Sequence, residues 1–210
     1  MVSEDLSMPA SPWKTPDDRL KEREIKREAV LLAAARAFNE RGFHNTALED
    51  VAATLKVTKP TIYYYGESKE ALLAACYRRA LETLDDVTRG SEGDAADGRT
   101  RLRVLIIAYG EAILSIYGRC LTRVPDNSLS PPLRKELRAI KRTVDDRIRD
   151  VIVGGVRDGT LAPTDTKMTA FAIAGALNAA ALWFEETGPS SAREISEHYA
   201  DLFVAALTPA

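Results

Sequence analysis

The chain has 210 residues, 45% of them hydrophobic and 29% charged, with a net charge of -2. That length can bury a sizeable core, and the hydrophobic share excludes a disordered chain. Two cysteines outside any C-x-x-C spacing and two histidines, His44 and His198, exclude a disulfide scaffold and supply no metal-ligand pattern.

The charge is uneven. Residues 19–80 carry 12 Lys+Arg against 8 Asp+Glu, whereas residues 1–18 carry 1 against 4 and residues 81–210 carry 16 against 19. The positive stretch is the footprint expected of a nucleic-acid contact, although the asymmetry is modest.

Residues 1–20 hold Ser, Pro and Asp without periodicity and predict a flexible tail. Their acidic start without an apolar core does not read as a secretory signal, which with reduced cysteines points to the cytoplasm. Arg19, Lys21, Arg23, Lys26 and Arg27 follow, interleaved with Glu22, Glu24 and Glu28. Two readings stay open: a solvated helix face with ion pairs, or an arm that reaches DNA.

Residues 46–80 are the most informative stretch. Thr46 followed by Glu49 fits a capping box for a short helix whose apolar face is Leu48, Val51, Ala52 and Leu55. Val57 is expected in the corner that follows. Thr58 caps a second short helix, Pro60 suits its first turn, and Ile62 points inward. Lys59, Thr61, Tyr63, Tyr64 and Tyr65 are left for the remaining surface. Gly66 is expected at a left-handed helix end, Ser68 as the next cap, and Lys69 in a first turn suited to phosphate. This is a helix-turn-helix layout, whose second helix enters the DNA major groove. Lys59 with Pro60 and Thr61 would read base edges, while the tyrosines position the backbone.

The segment REAVLLAAARAFNERGFHNTALEDVAATLKVTKPTIYYYGESKEALL resembles the DNA-binding domain of the TetR family of transcriptional regulators. The resemblance rests on Ala34 and Phe38, Glu40-Arg41-Gly42-Phe43, Thr46, Asp50-Val51-Ala52, Val57-Thr58, Thr61 to Tyr65 and Ser68-Lys69-Glu70. Two positions depart from the family's usual pattern: Lys56 where Gly is usual, and Gly66 where Phe or Val is usual. A lysine in a left-handed turn costs about 1 kcal/mol. The resemblance implies a homodimeric sensor that binds a pseudo-palindromic operator in double-stranded DNA and leaves it when a small molecule binds.

Downstream, every element reads as helical and no strand pattern emerges, so the expected fold class is all-α. One helix runs from Ser68 to about Arg89, and residues 90–98 form a Gly/Asp-rich loop. Leu102 to Tyr117 mark one amphipathic helix, and the prolines at 125, 131 and 132 break the chain after Cys120. A long helix from Leu133 to Arg157 stops at Gly159. Asp165 or Thr164 starts another, and Ser190 or Ser191 caps the last, with Ile195, Tyr199, Leu202 and Phe203 inward.

Residues 168–184 are apolar nearly all round but shorter than the ~20 residues of a membrane span. They predict a helix buried by its own core and by a partner chain, forming a homodimer interface with the last helix. The expected division is a tail at 1–20, a helix-turn-helix unit at 21–67 and a helical effector-binding and dimerisation unit at 68–210. Tyr109, Tyr117, Cys120, Arg123, Asn178 and Trp183 are the candidate lining of an effector pocket for an apolar or amphipathic molecule, each with a packed-core role as its alternative. A regulator without an effector is the competing reading. No nucleophile–base set, phosphate loop, cofactor motif or metal cluster supports an enzyme.

Overall fold

The computed structural model describes residues 15–91 and 96–209, and these form nine α-helices and one short 3₁₀ turn with no strand. The helices are α1 (Pro16–Arg41), α2 (Leu48–Leu55), α3 (Lys59–Gly66), α4 (Lys69–Ser91), α5 (Gly98–Leu114), α6 (Ile116–Thr122), α7 (Pro131–Arg157), α8 (Thr166–Trp183) and α9 (Ala192–Leu207). The fold is all-α: an N-terminal three-helix helix-turn-helix followed by a C-terminal helical body.

The tail expected at 1–20 is corrected for its last residues. Residues 16–20 are helical because Thr15 caps α1. The Thr15 hydroxyl accepts from Asp18 N at 3.1 Å, the Asp18 carboxylate accepts from Thr15 N, and Pro16 takes the first turn. Residues 1–14, including Trp13, lie outside the described residues, as do 92–95 of the expected loop.

α1 crosses α2 and α3 through Val30, Ala34 and Phe38, which are almost fully buried. Its C-terminal half also touches α4 and α6. In the body α5 is the central element. It packs against α4, α6, α7, α8 and α9, and its Leu102, Leu105, Ile106 and Ile113 are sealed from solvent. Burying four such side chains contributes roughly 1.5–3 kcal/mol each.

The single helix expected over Leu102–Tyr117 is two helices. Ser115 takes an extended backbone, its Oγ accepts from Gly118 N at 3.1 Å, and α6 departs at 78° from α5. Gly118 permits this corner, since a Cβ there would stand 2.3 Å from the Ala112 carbonyl oxygen. The later boundaries agree with their signals. Gly159 ends α7 at φ 80°, Asp165 caps α8, and Ser191 caps α9 in a capping box with Glu194. Leu202 departs from expectation: it is exposed rather than inward. No single helix among the described residues is long and apolar enough to cross a membrane.

Candidate nucleic-acid interface

The site is built on the α1–α3 bundle. Thr46 does not cap α2. The cap position is Ala47, which has no side-chain acceptor, and the half-box present is the Asp50 carboxylate accepting from Ala47 N at 3.2 Å. Thr46 is buried instead. Its hydroxyl lies 2.9 Å from the Gly42 carbonyl and 3.1 Å from that of Ala37, so its proton ties the α1–α2 corner together. A threonine before an acidic residue reads as a cap in sequence. The corner that swallows it is tertiary.

Lys56 keeps the turn left-handed at φ 55°, ψ 40°, so the lysine bears the strain that a glycine avoids. Its N–H donates to Ala53 O and that of Val57 to Ala52 O, which closes the end of α2. Val57 is not in the corner as expected but exposed, because the left-handed turn swings it outward.

Ile62 fastens α3, with no exposed surface at all. Thr58 caps the helix by backbone only. Its hydroxyl bonds the Thr61 hydroxyl at 2.9 Å instead of a helix N–H. Pro60 sits in the first turn, where no N–H is needed. At 100° per residue, Tyr64 and Pro60 fall opposite Ile62. Lys59, Tyr63 and Tyr64 are exposed, while Thr61 and Tyr65 are half-buried. Tyr65 meets Tyr64 edge to face at 4.9 Å. Lys59 pairs with Glu49 of α2 and stands 5.6 Å over the Tyr63 ring. The hydrogen bond to Glu49 raises the Lys59 pKa and lowers that of Glu49, so the cation is fixed but remains on the surface.

Gly66 is also corrected. It is the last residue of α3, buried and not left-handed. Glu67 takes the positive φ of 54°. A Cβ on Gly66 would come 2.9 Å from the Leu72 side chain, so Leu72 occupies the space that a larger residue at this position would need. Ser68 then caps α4 by accepting from Ala71 N at 3.0 Å. Lys69 reaches back to the carbonyls of His44 at 3.3 Å and Thr46 at 3.1 Å, and lies 4.6 Å from the centre of the Phe43 ring. Its ammonium edges a cavity of about 410 Å³ with His44, Asn45 and Tyr63. His44 and Asn45 carry no motif of their own. Only the fold of the α1–α2 corner brings them to this face.

The six expected effector residues do not converge. Tyr109 and Asn178 do meet, with the Tyr109 hydroxyl donating to Asn178 Oδ1 at 3.0 Å, and burial pushes the Tyr109 pKa up. Tyr117 instead donates to Glu28 of α1 at 2.6 Å. Cys120 is buried beside Cys76, whose thiol pKa is raised by that neighbour and by burial. Arg123 is exposed and reaches the Asn39 carbonyl at 3.4 Å. Trp183 is 57% exposed. A cavity of about 830 Å³ lies elsewhere, between α1, the end of α3 and α4, against Glu28, Leu31, Tyr65, Leu72, Arg78 and Arg79. No group of three or more His, Cys, Asp or Glu among the described residues could hold a metal ion.

α8 shows an uncovered apolar face: Met168, Phe171, Leu182 and Trp183 are exposed, with Gly175 between them; Leu202 of α9 is exposed as well. Ala174 points the other way, into the core.

Comparison with known proteins agrees with this geometry. Residues 30–76 match the family described as bacterial regulatory proteins, tetR family, and residues 95–207 match the tetracyclin repressor-like C-terminal domain. The HTH-type transcriptional regulator RutR of Escherichia coli K12 is 29% identical over 165 residues, 76% of each chain. The TetR family regulator PfmR from Thermus thermophilus superposes with a TM-score of 0.74 at 27% identity, covering 84% of this chain and 97% of that one. AibR in complex with isovaleryl coenzyme A and operator DNA shares the fold, with a TM-score of 0.71, 24% identity and coverage of 88% and 98%. RutR and PfmR are transcriptional regulators. The chain belongs to the TetR family and is a DNA-binding, helix-turn-helix transcriptional regulator.

Proposed function

We propose that this chain is a homodimeric repressor that reads a pseudo-palindromic operator with α3 and is released by a small apolar or amphipathic molecule held in the helical body. In this reading residues 21–67 are the reading unit, residues 68–210 sense and dimerise, and the protein works in the cytoplasm. The observation that carries the DNA half is α3 itself: Ile62 anchors it, and Lys59, Tyr63 and Tyr64 are presented outward. Lys59, Pro60 and Thr61 face base edges. Thr58 and the tyrosines position the backbone, Lys69 neutralises a phosphate at the corner, and Thr46 acts only through the corner it holds.

The uncovered face of α8 supports the dimer, which would set two recognition helices about one DNA turn apart, ~34–36 Å. Release would be a population shift in which the ligand favours a dimer with the wrong helix spacing. A 100-fold loss of affinity needs about 2.7 kcal/mol of coupling. α4 suits transmission, since it starts at Lys69 and packs on α5, α6 and α7. The operator complex of AibR with a coenzyme A thioester supports a ligand-holding body in this fold.

The test is a band-shift titration of the purified protein on its own promoter against random duplex, repeated across a metabolite panel. Equal affinity for both duplexes would refute operator reading. The effector-free reading is favoured by one specific observation: the Tyr109 and Tyr117 hydroxyls are already taken by Asn178 and Glu28. A panel that leaves the promoter complex unchanged would select it.

A further inference from the structure

α1 extends well beyond the three-helix bundle it stabilises. Its buried stripe begins at Val30, yet the helix starts at Pro16, about four turns earlier. At 100° per residue, the face that carries Val30 and Ala34 carries Lys26, Arg27, Arg23 and Arg19 in the preceding turns. These four cations fall within an arc of roughly 100°, and Asp17, Asp18, Glu22, Glu24 and Glu28 all lie outside it. Where the bundle ends, the stripe therefore turns from apolar to purely basic.

All four cations are exposed. Lys26 pairs with Glu22 at 2.7 Å, while Arg19, Arg23 and Arg27 enter no ion pair among the described residues. A solvated face laced with ion pairs would have satisfied them. The stripe is also continuous with the reading helix. The Arg23 guanidinium stands 5.5 Å over the ring of Tyr64, on the side of α3 opposite Ile62.

We propose that the first turns of α1 are a second DNA-contact surface, in which Arg19 and Arg23, with Lys26, hold phosphates flanking each operator half-site. The inference rests on the reading of DNA by α3. A stripe about 10 Å long, from Arg19 to Lys26, fits a short run of backbone phosphates and carries no base specificity.

The experiment measures affinity for the promoter duplex against salt, using the full chain. Arg19→Ala/Arg23→Ala removes two phosphate-binding cations per protomer, four per dimer, and should make the log–log salt slope shallower by about 3–4. Preference for promoter over random DNA should stay as in the wild type. Arg19→Lys/Arg23→Lys should restore the slope. A route without mutation uses the wild type on duplexes whose flanking phosphates are neutral methylphosphonates, which should give the same shallow slope. An unchanged slope in both arms overturns the inference while leaving α3 reading intact. Lysine variants as weak as alanine, with the slope kept, overturn it in favour of packing by Arg23 on Tyr64. A wild type without promoter preference removes the α3 reading and this surface with it.

Discussion

The reading end and the body treat polar aromatic side chains in opposite ways. On α3, Tyr63 and Tyr64 are exposed, and their rings meet a cation or, for Tyr64, the ring of Tyr65 as well. In the body, Tyr109 and Tyr117 are each locked by a hydrogen bond, to Asn178 and to Glu28. The first arrangement keeps hydroxyls free for an outside partner. The second satisfies them internally, as buried polar groups require. Tyrosine in a helix is therefore no signal by itself. The partner its hydroxyl already has decides whether it is a contact or a strut.

Substitutions can break this contrast. The largest effect is expected at the uncovered face of α8. A Cβ at Gly175 meets no atom within 4 Å, so Gly175→Arg should leave the fold intact, abolish the proposed dimer and cut operator affinity by over a hundredfold. Sedimentation and band shift check it together. Ala174→Arg, on the neighbouring position, would place a charge in the core and unfold the chain, so it cannot test the dimer. Ile62→Ala comes next. It should cost about 2–4 kcal/mol in denaturant unfolding and loosen α3, so that DNA binding falls with stability. Lys59→Ala should cost about 1–3 kcal/mol in binding and relax base preference, but leave unfolding nearly unchanged, because its pair with Glu49 is exposed. Tyr109→Phe should do the reverse. It strips the partner from Asn178 Oδ1 and costs about 1–2 kcal/mol of stability, with operator binding retained in the absence of ligand. The smallest is Lys56→Gly, which should stabilise by up to about 1 kcal/mol by removing left-handed strain.

Local signals made much of this legible. Caps and stops placed α7, α8 and α9 within a residue or two, since Gly159, Asp165 and Ser191 act through their own backbone neighbourhood. The same logic could have started α1 correctly. Thr15-Pro16-Asp17-Asp18 is a capping box with proline in the first turn, hidden by the acidic, proline-containing stretch around it. The corner at Ser115 was less accessible, because Ile116 and Tyr117 continue the apolar period of α5 straight across it. The effector residues were least so. Tyr117 and Trp183 share an aromatic, polar-tipped character with Tyr109, but α6 turns one toward α1 and α8 turns the other to solvent. Direction in space is set by packing between distant elements, and periodicity within one element does not contain it.

The packing of α9 along α5 has a consequence for how the protein is made. Arg103 pairs with Asp201 at 2.8 Å and Arg193 reaches Glu111, so the last helix closes over the central one. Synthesis runs from the N-terminus, so the three-helix head can form while α9 is still to come. Until then the α9-facing side of α5 waits uncovered, joined to its cover only through the long run of chain that holds α6, α7 and α8. Such non-local closure is slow, and it exposes apolar surface during birth. A nascent chain stalled before Ala192 would thus present a formed reading head on a sticky, unfinished body, a substrate for chaperones and proteases.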